Sequence, residues 1–479
     1  MKVEINKRTS INAIIMMGIF TFVFLGTEYY YVNLIALMAG GNSAVTVQNY
    51  ALGVSALGFL SYTLFNRRLK KRTKQICIVL LAIAAIFCIF LMEQKLSYEF
   101  VLFPGMIIFL ILGLFGSATY HLSMCILETN RYLARQVGIA YALSILLQFA
   151  NNNIIHSNMA EIIILSLFLL GLAAFLLQTE NTVELQEAQV INPSARSGAA
   201  ENEKLLIRKS KKTITGILLI LLVSLMTCIF STLDNAVTLE HASGKMDIGQ
   251  WPRLLLACSG LAAGFIFDIK RRELMNIIMY CVMILSTICM VILQIGGSFL
   301  IGLAVFYLSS GFFVVFFTTS FMELSCYMRI PELWAGMGRT ANNISAALIT
   351  GSSLTLMSSD NNMIKIIVVL LLFVMVSIVM AAYIANRKAA VEEAECGAAI
   401  DLMQMDRLTL FSERYSFTPR EKEVFDRLVN TENSIQEIAE SLYTSRRTCQ
   451  RHITAIYEKV GVKSRMGLYQ VYIEGKNMF

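Results

Sequence analysis

Long apolar runs alternate with short polar breaks along most of this chain. Runs of roughly 20 residues, enough to cross a ~30 Å hydrocarbon core, recur from residue 11 to residue 386. They form two sets of six, at 11–38, 45–65, 75–93, 99–127, 132–156 and 159–179, then at 213–240, 249–268, 274–296, 298–327, 333–357 and 362–386. The stretch 180–212 between the sets is polar, holds Pro193 and Gly198, and reads as a central loop. After residue 386 the long runs stop. Residues 387–416 read as a linker whose start, RKAAVEEAEC, prolongs the last span as a helix that Gly397 ends. Within it Leu402, Met405, Leu408, Leu410 and Phe411 are spaced as an amphipathic stretch able to dock.

Shorter amphipathic helices follow. Thr418-Pro419-Arg420-Glu421 supplies a Thr cap, a Pro at the first helical position and a Glu that closes a capping box. Val424, Phe425, Leu428 and Val429 then make one apolar stripe. Ser434 and Glu437 repeat the box for a second helix, with Ile435, Ile438, Ala439 and Leu442 inward. Ser445 caps a third, whose inward stripe is Cys449, Ile453, Ile456 and Val460 and which Gly461 ends as a left-handed cap. Ser464 opens a fourth, containing Leu468, Tyr469 and Tyr472. The predicted fold class is all-α: a polytopic membrane bundle of about twelve transmembrane helices in two six-helix halves, 1–179 and 213–386, with a four-helix domain over 417–479.

Composition agrees. Of 479 residues 56% are hydrophobic and 15% charged, and the mean hydropathy is +0.63, a membrane-protein balance rather than that of a soluble enzyme. The start, MKVEINKRTS, offers no small-residue cleavage site and reads as a retained anchor. Lys2, Lys7, Arg8, the run Arg67 to Lys74, Lys204, Arg208, Lys209, Lys211, Lys212, Lys270 to Arg272, Arg387 and Lys388 fall on one side of the spans. The other side holds little beyond Lys95, Lys245, Arg253 and Lys365. The basic side is cytoplasmic by the positive-inside rule, and an even span count places both termini there. The ten Cys form no C-x-x-C pair; Cys77, Cys88, Cys228, Cys258, Cys281 and Cys289 sit in apolar spans as buried small hydrophobes. His121, His156, His241 and His452 are scattered, with no metal-ligand spacing, and there is no P-loop, dinucleotide-binding glycine pattern or G-x-S-x-G. Neither a cofactor, nor a metal, nor an enzymatic activity is expected.

Gly264-Phe-Ile-Phe-Asp268-Ile-Lys270-Arg271-Arg272 follows the eighth run; after the second, Gly58 and the basic run 67–74 occupy the matching place without an Asp. Together with six plus six spans, this resembles the major facilitator superfamily of transporters. Glu28 in the first span and Asp234 in the seventh are carboxylates in corresponding spans of the two halves, each toward the non-cytoplasmic side. A carboxylate near the bilayer centre costs about 2.5–3.5 kcal/mol on insertion scales and so points to a cavity. Repeat-built transporters bind between their halves. Glu28, Tyr29, Asn33, Tyr120, His121, Asn152, Asp234, Asn235, Arg339 and Asn342 are the candidate ligand-binding residues, with Tyr120, His121, Arg339 and Asn342 nearer the cytoplasmic side. Wet or locally bonded acids at the outer interface are the competing account.

Charge is polarised along the tail. Residues 418–442 carry three Lys/Arg and six Asp/Glu, net −3; residues 443–465 carry six and one, net +5. A basic third helix on an acidic unit is the footprint of phosphate contact. The series Thr418-x-Arg420-Glu421-x-Glu423-Val424, Glu437-Ile438-Ala439, Ser445-x-x-Thr448, His452-Ile453, Ile456-Tyr457-x-Lys459-Val460-Gly461-Val462 and Ser464-Arg465 resembles the LuxR-type DNA-binding domain. That resemblance implies a third helix in the major groove of double-stranded DNA. Gln450, Arg451 and Thr454 would face bases; Thr448, Lys459, Lys463 and Arg465 would face phosphates, with Ser445, Arg446 and Arg447 at the helix start. The last helix would pair two copies. Many members have Lys where Gln450 stands, and Gln suits adenine. His452 faces inward, as packing. The expectation is a one-component transcriptional regulator of a bacterial cytoplasmic membrane whose spans sense a small-molecule effector. A transporter with a regulatory tail, or a mere membrane anchor for the domain, are the alternatives.

Overall fold

Every regular element among the described residues is helical; for the long apolar runs the reason is that backbone in lipid must satisfy its own polar groups. The computed structural model describes residues 2–127, 132–190, 199–244, 247–359 and 361–474, with side chains other than those of 2–9, 184–190, 199–212, 388–407 and 473–474. The orientation charges Lys2, Lys7, Arg8, Lys204, Arg208, Lys209, Lys211, Lys212, Lys245 and Lys388, and Leu402 and Met405, lie outside these described side chains. The chain divides into two units, residues 1–192 with 212–385, and residues 386–479 with 193–211.

The membrane unit is built from α1 (Lys2–Ala39), α2 (Gly41–Arg68), α3 (Lys71–Glu93), α4 (Tyr98–Ile126), α5 (Leu133–Ile154) and α6 (Asn158–Val190). Its second half holds α7 (Ala199–Ala242), α8 (Trp251–Phe267), α9 (Met275–Gln294), α10 (Phe299–Ser325), the one-turn α11 (Pro331–Trp334), α12 (Met337–Ser358) and the first part of α13 (Asn362–Arg414). Nine helices among the described residues are long and apolar enough to cross a membrane. The other three expected spans correspond to α2, α8 and α12. Helix α8 has 17 residues, while α2 and α12 are diluted by residues such as Gln48, Asn49, Asn342 and Asn343.

Two expected breaks are shorter than the polarity pattern implied. Helix α6 continues to Val190 and α7 starts at Ala199, so of the expected central loop only 191–198 is outside the described helices. The flanks are rich in Glu, Leu, Gln, Ala and Lys, which favour helix even when polar. Helix α13 also runs past Gly397, since one interior Gly costs only about 1 kcal/mol.

Of the six cysteines expected to be buried, Cys88 and Cys289 are, Cys77 and Cys228 are half-buried, and Cys258 and Cys281 are exposed. In lipid the outside of a bundle is apolar too: Leu80, Ile83 and Phe87 of α3 and Leu371, Val374 and Ile378 of α13 are likewise exposed. The halves meet along α5–α8 and α2–α12. At the first seam a Cβ on Gly138 would lie 2.7 Å from the Gly260 carbonyl oxygen, and one on Gly264 would lie 2.7 Å from that of Ala134. Small residues are what permit such backbone approach.

The basic end of the bundle is tied across the halves. Asp268 accepts hydrogen bonds from the backbone N–H of Arg135 (2.8 Å) and Ala134 (3.4 Å) at the start of α5. Arg272 holds that carboxylate at 3.1 Å and Glu323 at 3.0 Å. In the first half, where the Asp is missing, Arg67 pairs with Glu332 of α11.

The second unit comprises the end of α13, then α14 (Pro419–Asn430), α15 (Ile435–Ser441), α16 (Arg446–Val460) and α17 (Arg465–Glu474). Both capping boxes form, at Thr418–Glu421 and Ser434–Glu437, and Gly461 caps α16 with φ 81°. The core joins Val424, Phe425, Ile438, Ile453, Leu468 and Tyr472. Leu408 and Phe411, from the stretch read as a linker, are buried in the same core. The Phe411 ring stacks on Phe425 at 4.9 Å and meets Tyr472 edge-on at 5.3 Å.

Candidate DNA interface and membrane cavity

Helix α16 buries Cys449, Ile453 and Ile456, which turns Arg446, Arg447, Gln450, Arg451, Thr454 and Glu458 to one open face. Among the described residues no carboxylate pairs with Arg446, Arg447 or Arg451. Ser445 accepts from the Thr448 backbone N–H at 3.1 Å, and the two hydroxyls bond at 2.8 Å, so this pair fixes the helix start. Lys463 is exposed. His452 is half-buried against the domain.

Two residues expected to face phosphate are engaged inside the domain instead. Lys459 Nζ donates to Glu421 Oε2 at 2.6 Å and to the Ser416 carbonyl at 2.9 Å. Arg465 donates to the carbonyls of Leu428 (2.9 Å), Asn433 (2.5 Å) and Thr431, and so ties the start of α17 to the end of α14. Sequence shows the charge of such residues but not the buried carboxylate or helix-end carbonyls that claim it. Burial pushes the Glu421 carboxyl up, but the Lys459 ammonium and the Thr418 N–H outweigh this and hold it below its ordinary value.

In the membrane unit a cavity of about 180 Å³ lies between the halves. Glu28, Tyr29, Asp234, Arg339 and Asn342 line it. The other candidates do not. Asn33 bonds His241 Nε2 at 2.9 Å. Asn235 is buried between Asn49 (2.8 Å) and Ser353 (3.0 Å). Tyr120 stacks on Phe59 and lines a separate crevice of about 10 Å³. His121 faces Tyr62 and Cys125, and Asn152 packs beside Gly249. Helical phase explains these misses: a span shows which residues are polar, not which way its interior face turns. Conversely, Gln48, Tyr141, His241, Arg253, Tyr307 and Asn343 do line the cavity. Arg253 was hidden by its use as a topology charge, while the adjacent polar pair Gln48-Asn49 inside a span was a legible signal.

The cavity floor is organised by hydrogen bonds. Gln48 Nε2 donates to Glu28 Oε1 at 2.7 Å. Thr227 donates to Asn342 Oδ1 at 3.1 Å, and Asn343 donates to Ser55 Oγ of the first half at 2.8 Å. At one edge Tyr29 stacks on His241 at 5.5 Å, donates to Asp247 at 3.2 Å and lies 5.9 Å under the Arg253 guanidinium. Among the described residues no cluster of His, Cys, Asp and Glu could hold a metal ion.

The two sites lie on a bundle of long apolar helices and on a small domain of short amphipathic ones. Residues 415–472 match the family model of bacterial regulatory proteins, luxR family (GerE). The membrane unit is similar in fold to an auto-inhibited POT family peptide transporter, at TM-score 0.52 and 11% identity over 80% of this chain and 97% of that one. It is also similar to the human organic anion transporter MFSD10 (TETRAN), at TM-score 0.51 and 11% identity over 79% and 99%. A Major Facilitator Superfamily transporter, FucP, in the outward conformation matches at TM-score 0.44 and 12% identity over 78% and 99%. No curated protein matches. The chain thus joins a C-terminal domain that matches the luxR family of helix-turn-helix regulators to a multi-helix membrane unit with the fold of major-facilitator-type transporters.

Proposed function

We propose that the chain is a one-component transcriptional regulator embedded in the bacterial cytoplasmic membrane. A small molecule bound between the two halves sets how readily the C-terminal domain engages a promoter. One observation carries this reading: the same chain holds an interior cavity furnished with Glu28, Asp234, Arg253 and Arg339, and a helix offering Arg446, Arg447 and Arg451 on an open face. On DNA, Gln450, Arg451 and Thr454 read base edges, while Arg446, Arg447, Thr448 and Lys463 meet phosphates. Two copies pair through α17, whose Met466 and Tyr469 are 74% and 45% exposed. The basic end of the bundle, with both termini, faces the cytoplasm.

The mechanism is a population shift. The ligand favours one arrangement of the halves, and a coupling of about 1–3 kcal/mol gives a several-fold to hundred-fold change in promoter occupancy. Transcription from the chain's operator is measured across ligand concentrations for Glu28→Gln and Asp234→Asn, with membrane levels checked. The expected result is a lost ligand response with basal transcription intact and with DNA binding by residues 387–479 unchanged. An unaltered dose–response in both variants removes the sensory cavity. Ligand flux into vesicles without any transcriptional response replaces this reading with transport.

A further inference from the structure

The four charged side chains of the cavity leave their charges unspent. Arg339 is 9% exposed, its Nε has no hydrogen-bond partner, and its guanidinium lies 5.4 Å from the Phe317 ring centroid and 5.7 Å from that of Phe24. The Nε of Arg253 is also unpartnered. Neither arginine is within ion-pair distance of a carboxylate among the described residues, although both lie within electrostatic reach of Glu28. Glu28 receives one bond, from Gln48, and Asp234 lies close enough to Glu28 for their charges to interact. Arginine does not deprotonate, and a buried cation without a counter-charge is costly. Two carboxylates sharing a low-dielectric space repel each other in turn.

A cation held between Glu28 and Asp234 keeps both acids ionised, and two anions then balance the two arginines, so a ligand of net single charge unbalances the cavity. A ligand carrying one anionic and one cationic group satisfies both ends. We infer that the ligand is a small zwitterion, a free α-amino acid with an apolar or aromatic side chain. Its carboxylate meets Arg339 and its ammonium lies between Glu28 and Asp234. Tyr29, Tyr141, Phe230 and Tyr307 supply the wall for the side chain and an aromatic face for the ammonium. The volume, about 180 Å³, is below the roughly 300–1,000 Å³ of drug-sized sites and holds one such residue rather than a peptide.

This inference rests on the reading of the cavity as the ligand site, and direct binding tests it apart from transcription. The purified full-length chain in detergent is titrated with L-phenylalanine, L-tyrosine, L-leucine and L-methionine, each beside its decarboxylated amine and its deaminated acid. At least one amino acid is expected to bind, with both of its analogues weaker by about tenfold or more, as loss of a charge-assisted bond implies. In Arg339→Gln the difference between amino acid and amine should vanish, and in Glu28→Gln or Asp234→Asn the difference between amino acid and acid. An analogue lacking one charge that binds the parent chain within about threefold of the amino acid overturns the inference. So does the absence of binding by all four amino acids. Amino-acid binding without a transcriptional response upholds the ligand class and removes the sensory reading. Transcription that answers another compound while none of the panel binds removes the ligand class alone.

Discussion

Arg451 and Lys463 carry the same charge and are expected to fail differently. Arg451 stands mid-helix on the open face of α16, beside Gln450 and Thr454. Arg451→Ala should cost about 1–3 kcal/mol on the operator and relax its sequence preference. Lys463→Ala should weaken all sequences alike and lower the salt slope by about one. Operator and scrambled-duplex titrations at several salt concentrations separate the two. Lys459 differs from both because its ammonium is engaged with Glu421. The folded-state pKa of Glu421 is depressed, so its contribution to stability is complete above the ordinary value of 4.5 and is lost as pH falls below that value. Lys459→Met should therefore lower the stability of the domain at neutral pH and flatten its loss in acid. Denaturant midpoints across that range provide the check. The sequence displayed all of these charges. It did not display which would find a carbonyl or a carboxylate at home, because those acceptors come from far back along the chain, Glu421 being 38 positions before Lys459 and Thr431 34 before Arg465.

Among elements, the helices with strictly local signals were the most legible. Thr418, Ser434 and Ser445 cap where their spacing implied, and the stripe of Cys449, Ile453 and Ile456 turns inward. The end of α13 was less so, because Phe411 meets the Tyr472 ring, which the chain supplies only in its last helix. Phe411 is 3% exposed and fills the middle of the second core. Phe411→Ala should destabilise a fragment of residues 387–479 by about 3–5 kcal/mol. Its thermal midpoint and DNA affinity are the measurements, and an unchanged midpoint would mean that the helix end is dispensable. The family match begins at residue 415, so a graft cut there would leave behind one ring of the core it needs.

For the whole molecule, orientation decides whether a DNA-binding tail is useful at all. A reporter active only outside the cytoplasm should be silent when fused after Phe479 and active when placed near Ser243, and the reverse pattern would defeat both the topology and the promoter reading. The two-half architecture was legible from the spacing of apolar runs, whereas the ties between halves were not. Asp268 was visible as part of a motif, yet its partners are the amides of Ala134 and Arg135 at the start of α5, where Tyr132 provides no side-chain cap. That tie has a consequence for biogenesis. The ribosome delivers the start of α5 134 residues before Asp268, roughly 7–27 s earlier at ordinary elongation rates. Through that interval the N–H groups of Ala134 and Arg135 lack the Asp268 carboxylate that caps them in the finished fold. A chain stopped at residue 192 should accordingly be degraded quickly in cells, and residues 193–479 supplied as a separate polypeptide should extend its lifetime, as pulse-chase labelling would record.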